Sequence, residues 1–463
     1  MKNIFNYLPF LLMVLISIYS GIFLYKGNFW ISQIFSLVFC GFLFCSIRSK
    51  NTFFIFLSIL LWLGFWFKFN ASLYINNGKL FEPVGLFDYS SQLYDNILII
   101  SSVGLTGFFT SYFLRNKNNS TKKIYIIKKC YINYSWVFIF IITILTAIIN
   151  IKYSIYQRGT RGGIDLPIIL TLIIQWMMYI GIISLSLILG FASIIYKDKN
   201  ITLYLALILI IDFIISTSSI SRGFIMSSSA IILLFIICCN SVKITNNYKN
   251  KIIITLIFII LCVLNLSLTT YIRNNFILDN SITNFKQNFE PSGGVNNLVF
   301  GRWVGLEGVA STAAYSDKGI ELFITSLKEK KDNTQASFYD KNIIKDSPYL
   351  NIENKKYYAI TLPGIIGYLN YSGSLIFIFF GCLLLGLFGN MIINCSNFLF
   401  YNPLVTGYIG YLIAYRYVSF GAYPLDSYKL ILAIIFLIFI MTIIQNNKFL
   451  KRFFNSYDFR LRN

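Results

Sequence analysis

The chain of 463 residues contains no histidine, and only 12% of its residues are charged. Without histidine, a histidine-based catalytic triad, a histidine-ligated metal centre and an imidazole proton relay are all excluded. About a quarter of the residues of a soluble protein are charged, so this chain has too few charged side chains to cover a water-exposed surface. Hydrophobic residues make up 56% of the sequence, and its mean hydropathy is +0.67. The composition therefore predicts an all-α polytopic membrane protein.

Nucleotide and metal motifs are also missing. The sequence has no P-loop and no GxGxxG motif, so we expect no nucleotide site and no use of ATP. Its eight cysteines lie almost entirely within or beside apolar runs, and their spacing fits neither a disulfide framework nor a zinc site. The sequence therefore predicts neither a metal nor another cofactor.

Long apolar runs dominate what is present. A membrane-spanning helix needs about 20 mainly apolar residues, and twelve runs meet this description. They cover residues 4–25, 29–47, 52–67, 93–113, 133–151, 167–196, 201–219, 224–239, 252–270, 374–394, 403–420 and 427–445. No cleavage site follows the first run, so we interpret it as a retained helix rather than a signal peptide.

The predicted spans divide the chain into four parts. Helices one to nine occupy 1–270, and 271–373 forms one large outside loop with a re-entrant segment. Helices ten to twelve occupy 374–445, and 446–463 is a basic tail.

The charge distribution predicts the orientation. Lysine and arginine number 39 against 18 aspartates and glutamates, which gives a net charge of +21. Most of the excess lies in short loops at alternate ends of the spans, such as the cluster between Arg115 and Lys129, and in the C-terminal tail. Positive residues collect on the cytoplasmic side of membrane proteins. We therefore expect both termini in the cytoplasm and no nucleic-acid partner.

Arginines recur at or near the predicted outer face. A guanidinium offers a planar fork of donors that matches phosphate oxygens and keeps its charge at physiological pH. The alternative is that these side chains snorkel, with their stems in lipid and their charges in water. The six arginines are Arg158, Arg161, Arg222, Arg273, Arg302 and Arg416.

Two of these arginines and one acid occupy positions that snorkelling explains less well. Arg222 lies in a short hairpin before Gly223, and Arg416 lies inside an apolar run. A charge within a span costs a few kcal/mol and usually faces a polar interior or a partner. Asp212, in the seventh span, is either a structural partner for one of these arginines, a helix hydrogen-bonding group or a catalytic acid.

Two segments of the outside loop combine glycine with polar or aromatic residues. Residues 301–311 contain Arg302, Trp303 and Glu307, so an indole that can stack on a sugar lies near a carboxylate that can accept a proton. The alternative for this segment is a re-entrant or interfacial helix with a polar edge. Residues 361–374 contain Pro363 and several glycines, which predicts a broken helix beside a lipid or substrate cleft. Without histidine, the outside candidates for a general base are Glu307, Glu290, Glu82 and Asp88.

Together these features resemble the Wzy-type O-antigen polymerases, bacterial enzymes that join oligosaccharide repeat units. The resemblance rests on residues 221–223, 302–308 and 362–373, and on the twelve-span layout with one large outside loop. It implies a GT-C-like fold, a place in the bacterial inner membrane and polymerisation of undecaprenyl-pyrophosphate-linked units on the periplasmic side. The product would be O-antigen, enterobacterial common antigen or capsule. One departure is that none of the six arginines has a glycine eleven positions later, so an Arg-x10-Gly loop motif is missing.

The hypothesis assigns roles to nine residues. Arg222 and Arg302 bind the departing pyrophosphate, and Glu307 acts as base or orienter, which makes these three the catalytic set. The partners are lipid-linked glycan donor and acceptor and membrane lipid, and binding of a chain-length regulator is left open. The further substrate-binding candidates are Arg158, Arg161, Arg273, Arg416, Trp303 and Tyr368.

Three other functions fit a protein of this class. An O-antigen ligase shares the architecture, but members of that family resemble one another in an outside histidine that this chain lacks. A repeat-unit flippase has about twelve spans, but it needs no outside loop of this length. Another transporter would have charged or broken helices in symmetric positions, and only Asp212 and Arg416 approach that pattern.

Overall fold

The computed structural model describes most of the chain, and everything below refers to this part. The described residues are 8–49, 51–115, 122–157, 167–196, 201–242, 248–272, 300, 303–329, 336–345, 361–400, 402–421, 423–446 and 454–459.

Long apolar helices make up the body of the protein, as the composition predicts. Nine of them precede the outside segment: α1 (Leu8–Phe23), α2 (Phe29–Ile47), α3 (Thr52–Ile75), α4 (Ser91–Phe113), α5 (Ile132–Tyr153), α6 (Ile168–Ile195), α7 (Ile201–Ser218), α8 (Phe224–Val242) and α9 (Tyr248–Ile272). Three short helices follow: α10 (Leu306–Ala314), α11 (Ile320–Leu327) and α12 (Gly364–Leu369). The last three are α13 (Leu375–Leu399), α14 (Pro403–Val418) and α15 (Ser427–Asn446).

Ten of the described helices are long and apolar enough to cross a membrane. The remaining two of the twelve predicted spans correspond to α1 and α14, which have 16 residues each. A polytopic all-α membrane protein is thus confirmed, while a count of twelve spans stays a prediction. The predicted end of the third span at residue 67 was wrong, because α3 continues through a π-helical turn at Leu63–Phe67 to Ile75.

Glycines allow the main helices to approach each other closely. A β-carbon at Gly107 of α4 would collide with the backbone carbonyl of Phe379 in α13. At Gly410 of α14 it would lie 2.9 Å from the backbone nitrogen of Phe53 in α3. In lipid, where the hydrophobic effect between helices is weak, such close backbone packing supplies much of the association energy.

The described part of the outside segment packs into the bundle. Helix α10 contacts α4 and α12, and α12 also contacts α13 and α14. The residues from Leu306 to Thr312 and the whole of α12 are buried. The segment around Glu307 is therefore not an exposed loop. Its apolar residues and glycines have a packing function, and a re-entrant or interfacial position in the membrane stays a prediction.

A small sheet joins two of the basic segments. Strand β1 (Lys122–Ile127), between α4 and α5, pairs antiparallel with β2 (Phe454–Phe459) in the C-terminal tail. In the register, Lys122 lies opposite Phe459 and Ile127 opposite Phe454. The loop and the tail therefore lie on the same side of the bundle, as the alternation of spans requires. That this side is cytoplasmic stays a prediction.

Candidate functional site

A buried ion pair joins α3 to the short buried helix α10. The ammonium of Lys68 lies 2.6 Å from Oε2 of Glu307, and the two side chains are 0% and 4% exposed. The same ammonium donates a hydrogen bond of 2.7 Å to the backbone carbonyl of Trp303. One cation thus holds both the helix and the segment that leads into it.

Lys68 was missed by the sequence reasoning. The sequence predicts that the third apolar run ends at residue 67, which makes Lys68 the first residue of an outside loop. Instead α3 continues, and its π-helical turn precedes Lys68 directly. Such turns are frequent at functional sites. The available signal was the absence of glycine and proline between Phe67 and Ile75.

Backbone packing determines where the ion pair forms. A β-carbon at Gly64 would collide with the carbonyl of Val304, and one at Gly305 would collide with the carbonyl of Gly64. The chain just before α10 therefore lies directly on α3, one helical turn before Lys68. Only glycine permits this approach on both sides.

Two polar groups of the site have unused hydrogen-bonding capacity. Oε1 of Glu307 is buried and accepts no hydrogen bond from the described residues. The indole Nε1 of Trp303 is likewise buried without an acceptor among them, although the side chain as a whole is half-buried. Buried polar groups are normally paired, and these two atoms are exceptions among the described residues.

Two tyrosines lie within electrostatic reach of the Glu307 carboxylate. Burial, and less strongly the nearby acids Asp340, Glu82 and Glu307, raise the pKa of Tyr339 well above its usual value. Burial also raises the pKa of Tyr89, and Glu307 adds to the effect. Both phenols stay protonated at neutral pH. The hydroxyls of Tyr339 and Ser311 share a hydrogen bond of 2.5 Å.

A second buried acid accepts a hydrogen bond from the segment that leads into α12. Asp340 accepts hydrogen bonds of 2.6 Å from the hydroxyls of both Ser337 and Thr361. It lies in a π-helical turn, Tyr339–Ile344, that packs against α10. The outer segments are therefore tied to each other as well as to the bundle.

Tyr368 is a packing residue in this structure. It is 2% exposed, receives a hydrogen bond of 2.8 Å from the hydroxyl of Ser326, and its ring packs on Phe323, Tyr371 and Phe420. No face of the ring is open to a glycan. The sequence could not distinguish this from an exposed aromatic, because the partners come from distant segments.

Arg416 lies near the outer segment but does not contact Glu307. It occupies the last turn of α14, where Nε and Nη2 donate hydrogen bonds of 3.1 and 3.0 Å to the hydroxyl of Ser427. Its guanidinium also lies 5.8 Å from the ring centre of Phe420, whose carbonyl accepts a hydrogen bond from the amide of Gly364 in α12. Among the described side chains, no carboxylate pairs with Arg416.

Arg222 lies in the tight turn between α7 and α8 and is half-buried. The turn is closed by hydrogen bonds from the amide of Ser221 to the Ser216 carbonyl and from Ile220 to Thr217. Successive helices joined by short connections alternate in direction, which assigns this turn to the same end of the bundle as Arg416.

Asp212 does not pair with an arginine among the described contacts. Its Oδ2 accepts a hydrogen bond of 2.7 Å from the hydroxyl of Ser227, which joins α7 to α8. The side chain is 3% exposed. The structural alternative therefore accounts for this acid.

Five candidate site residues lie outside the described residues, and their roles stay predictions. They are Arg158, Arg161, Arg273, Arg302 and Glu290. Of the other base candidates, Glu82 is half-buried and Asp88 is exposed. Hydrogen bonds from the amide and hydroxyl of Ser90 lower the pKa of Asp88, which makes it a weaker base.

Comparisons with known proteins identify no relative. No protein-family model matches the chain, no curated protein matches it, and no solved structure resembles it.

Proposed function

We propose that this protein is a multi-pass membrane glycosyltransferase that polymerises lipid-pyrophosphate-linked oligosaccharide repeat units at the outer face of the bacterial inner membrane. The observation that carries the proposal is the short buried helix α10, which brings Glu307 onto Lys68 at the end of the bundle that also holds Arg416. This arrangement places a buried carboxylate, a half-buried indole and an arginine charge at one end of the bundle, which suits transfer of a sugar from a pyrophosphate leaving group.

The arginines supply the electrostatic part of the mechanism. In the transition state, negative charge develops on the pyrophosphate oxygens of the donor. Arg416 is held by Ser427 through Nε and Nη2, and no described carboxylate neutralises it. The proposal assigns its charge to the binding of an anion. Arg222, at the same end, and Arg302, which precedes Trp303 in the chain, complete the proposed pyrophosphate site.

The reaction is a single displacement. A hydroxyl oxygen of one lipid-linked unit forms a bond to the anomeric carbon of the growing chain, and the bond from that carbon to the pyrophosphate oxygen breaks. The hydroxyl proton passes to a carboxylate, and lipid pyrophosphate leaves with the bonding electrons. The configuration at the anomeric carbon inverts. The pyrophosphate linkage is already activated, so the proposal uses neither metal nor nucleotide.

Glu307, Glu82 and Asp88 are the described carboxylates proposed for the proton. Oε1 of Glu307 accepts no hydrogen bond from the described residues, but neither oxygen of this carboxylate is open to solvent. The roles of base and orienter therefore predict different consequences when Glu307 is replaced.

The test is the surface glycan profile of a gene-deletion strain complemented with variants. Deletion should reduce a ladder of chain lengths to a single repeat unit, and the wild-type gene should restore the ladder. Arg416→Ala, Arg222→Ala and Arg302→Ala should each fail to restore it. Arg48→Ala is the matched control, because Arg48 lies at the opposite end of the bundle, over the ring of Phe44.

Two results would contradict the proposal. A deletion strain with an unchanged ladder would indicate a transporter for another substrate. Loss of all surface glycan, single units included, would indicate a repeat-unit flippase or a ligase.

A further inference from the structure

Lys68 is placed to control the position of Trp303. Its ammonium forms an ion pair of 2.6 Å with the Glu307 side chain in α10 and donates a hydrogen bond of 2.7 Å to the backbone carbonyl of Trp303. The lysine stem is rigidly packed, since the side chain is fully buried within α3. Any shift of the Trp303 segment away from α3 breaks the second of these bonds.

Folding alone does not require a charged pair at this place. A buried pair gives up the hydration of both ions, and a well-packed apolar pair of the same volume is often as stable or more stable. Apolar residues that form such pairs are abundant in this chain. What an apolar pair cannot provide is a donor for the Trp303 carbonyl.

Trp303 has the chemistry of a glycan contact. Its ring is half-buried, and its buried Nε1–H has no acceptor among the described residues. Sugar C–H groups can pack on the exposed part of the indole. The adjoining backbone at Gly305 lies against Gly64, so Lys68 and this glycine contact together determine where the indole lies.

We propose that Lys68 is a positioning residue for the glycan substrate: through its bonds to Glu307 and to the Trp303 carbonyl, it holds the indole of Trp303 against a sugar of the lipid-linked chain. The proposal rests on the proposed function. It makes Glu307 the counter-ion that allows Lys68 to be buried, and it assigns the hydroxyl proton to another carboxylate.

The decisive variant replaces both charges at once. Lys68→Met with Glu307→Leu removes the ion pair without leaving a single buried charge, so the protein should fold. Its substrate is the lipid-linked glycan extracted from the deletion strain, incubated with purified protein in detergent, with chain extension measured over a range of glycan concentrations. We expect KM to rise about tenfold, the effect of losing one hydrogen bond to a charged group. KM is the quantity that reports the Trp303 contact in this variant, because kcat also depends on whether Glu307 accepts the proton.

Two further variants separate positioning from general structural damage. Lys68→Arg keeps a donor for both acceptors and should recover most of the wild-type KM. Trp303→Phe should raise KM in the same way, and adding it to the double variant should have little further effect, because both changes remove one contact. Asn390→Leu is the matched control: it breaks a buried hydrogen bond of 2.6 Å to Asn51 at the other end of the bundle and should leave KM unchanged.

Three outcomes would overturn the proposal. If the double variant melts like the wild type but loses kcat by about a hundredfold or more, Glu307 is the proton acceptor. If it melts like the wild type with unchanged KM, Lys68 positions nothing. If the wild-type protein itself does not extend the extracted glycan, the proposed function fails, and the role of Lys68 in it fails too.

Discussion

Gly308 of α10 packs directly against the backbone of Pro363, at the start of α12. A β-carbon at this glycine would overlap the proline carbonyl, which has no room to move because α12 is buried among α10, α13 and α14. On the other side, a β-carbon at Gly367 of α12 would lie 2.8 Å from the carbonyl of Gly308. Helices α10 and α12 thus meet backbone to backbone.

Gly308→Ala should therefore destabilise the protein by about 1–3 kcal/mol or more, the usual effect of overpacking. The measurement is the melting temperature of purified protein in detergent, together with its amount in the membrane. Gly319→Ala is the matched control, because nothing lies within 4 Å of a β-carbon there and the backbone is extended. Equal melting temperatures for both variants would contradict this packing.

Thr361→Val should loosen the connection between the outer segments. It removes the 2.6 Å hydrogen bond to Asp340 and leaves that buried carboxylate with one donor fewer, which costs about 1–3 kcal/mol. Thermal melting again provides the readout. The control is Ser316→Ala, which loses a hydrogen bond to the exposed Asp317 and should change stability by less than about 0.5 kcal/mol. A Thr361→Val protein as stable as this control would exclude an anchoring role for Asp340.

Glu329 should make stability depend on pH. Burial raises the pKa of this carboxyl, although the amide of Phe338 donates a hydrogen bond of 2.6 Å to it. Since the folded state binds the proton more tightly than the unfolded state, stability is greatest at low pH. It is lost as the pH rises from the ordinary glutamate range through the raised pKa. Glu329→Gln keeps an acceptor for Phe338 and should flatten this part of the melting profile, above the ordinary glutamate range. An unchanged profile would show that other groups cause the slope.

Asp212 should be replaceable by a neutral acceptor. In Asp212→Asn, an amide oxygen can still receive the hydrogen bond from Ser227, so the protein level and the glycan ladder should stay near wild type. Ser227→Ala should cost about 1 kcal/mol, the typical value for one hydrogen bond. Loss of the ladder in a well-expressed Asp212→Asn protein would show that the negative charge itself is required.

The fold was largely predictable, because membrane insertion depends on local composition. A segment such as Phe29–Ile47 must form its backbone hydrogen bonds internally once it is in lipid, so its apolar length alone indicates a helix. Predictions failed where helices end. The continuation of α3 past Phe67 and the pairing of β1 with β2 depend on contacts between segments far apart in the chain.

The sequence identified single residues of the candidate site but not which of them contact each other. Glu307 and Trp303 stood out because their residue types are rare in an apolar chain, whereas Lys68 resembled any lysine beside a span. Its importance comes from Gly64 and Gly305, which bring two backbones together and enclose its charge. Sequence alone determined that the chain is a helical membrane protein, since hydropathy is a property of each segment. Which charges meet inside it was decided only by tertiary packing, since burial and pairing are properties of segments in contact.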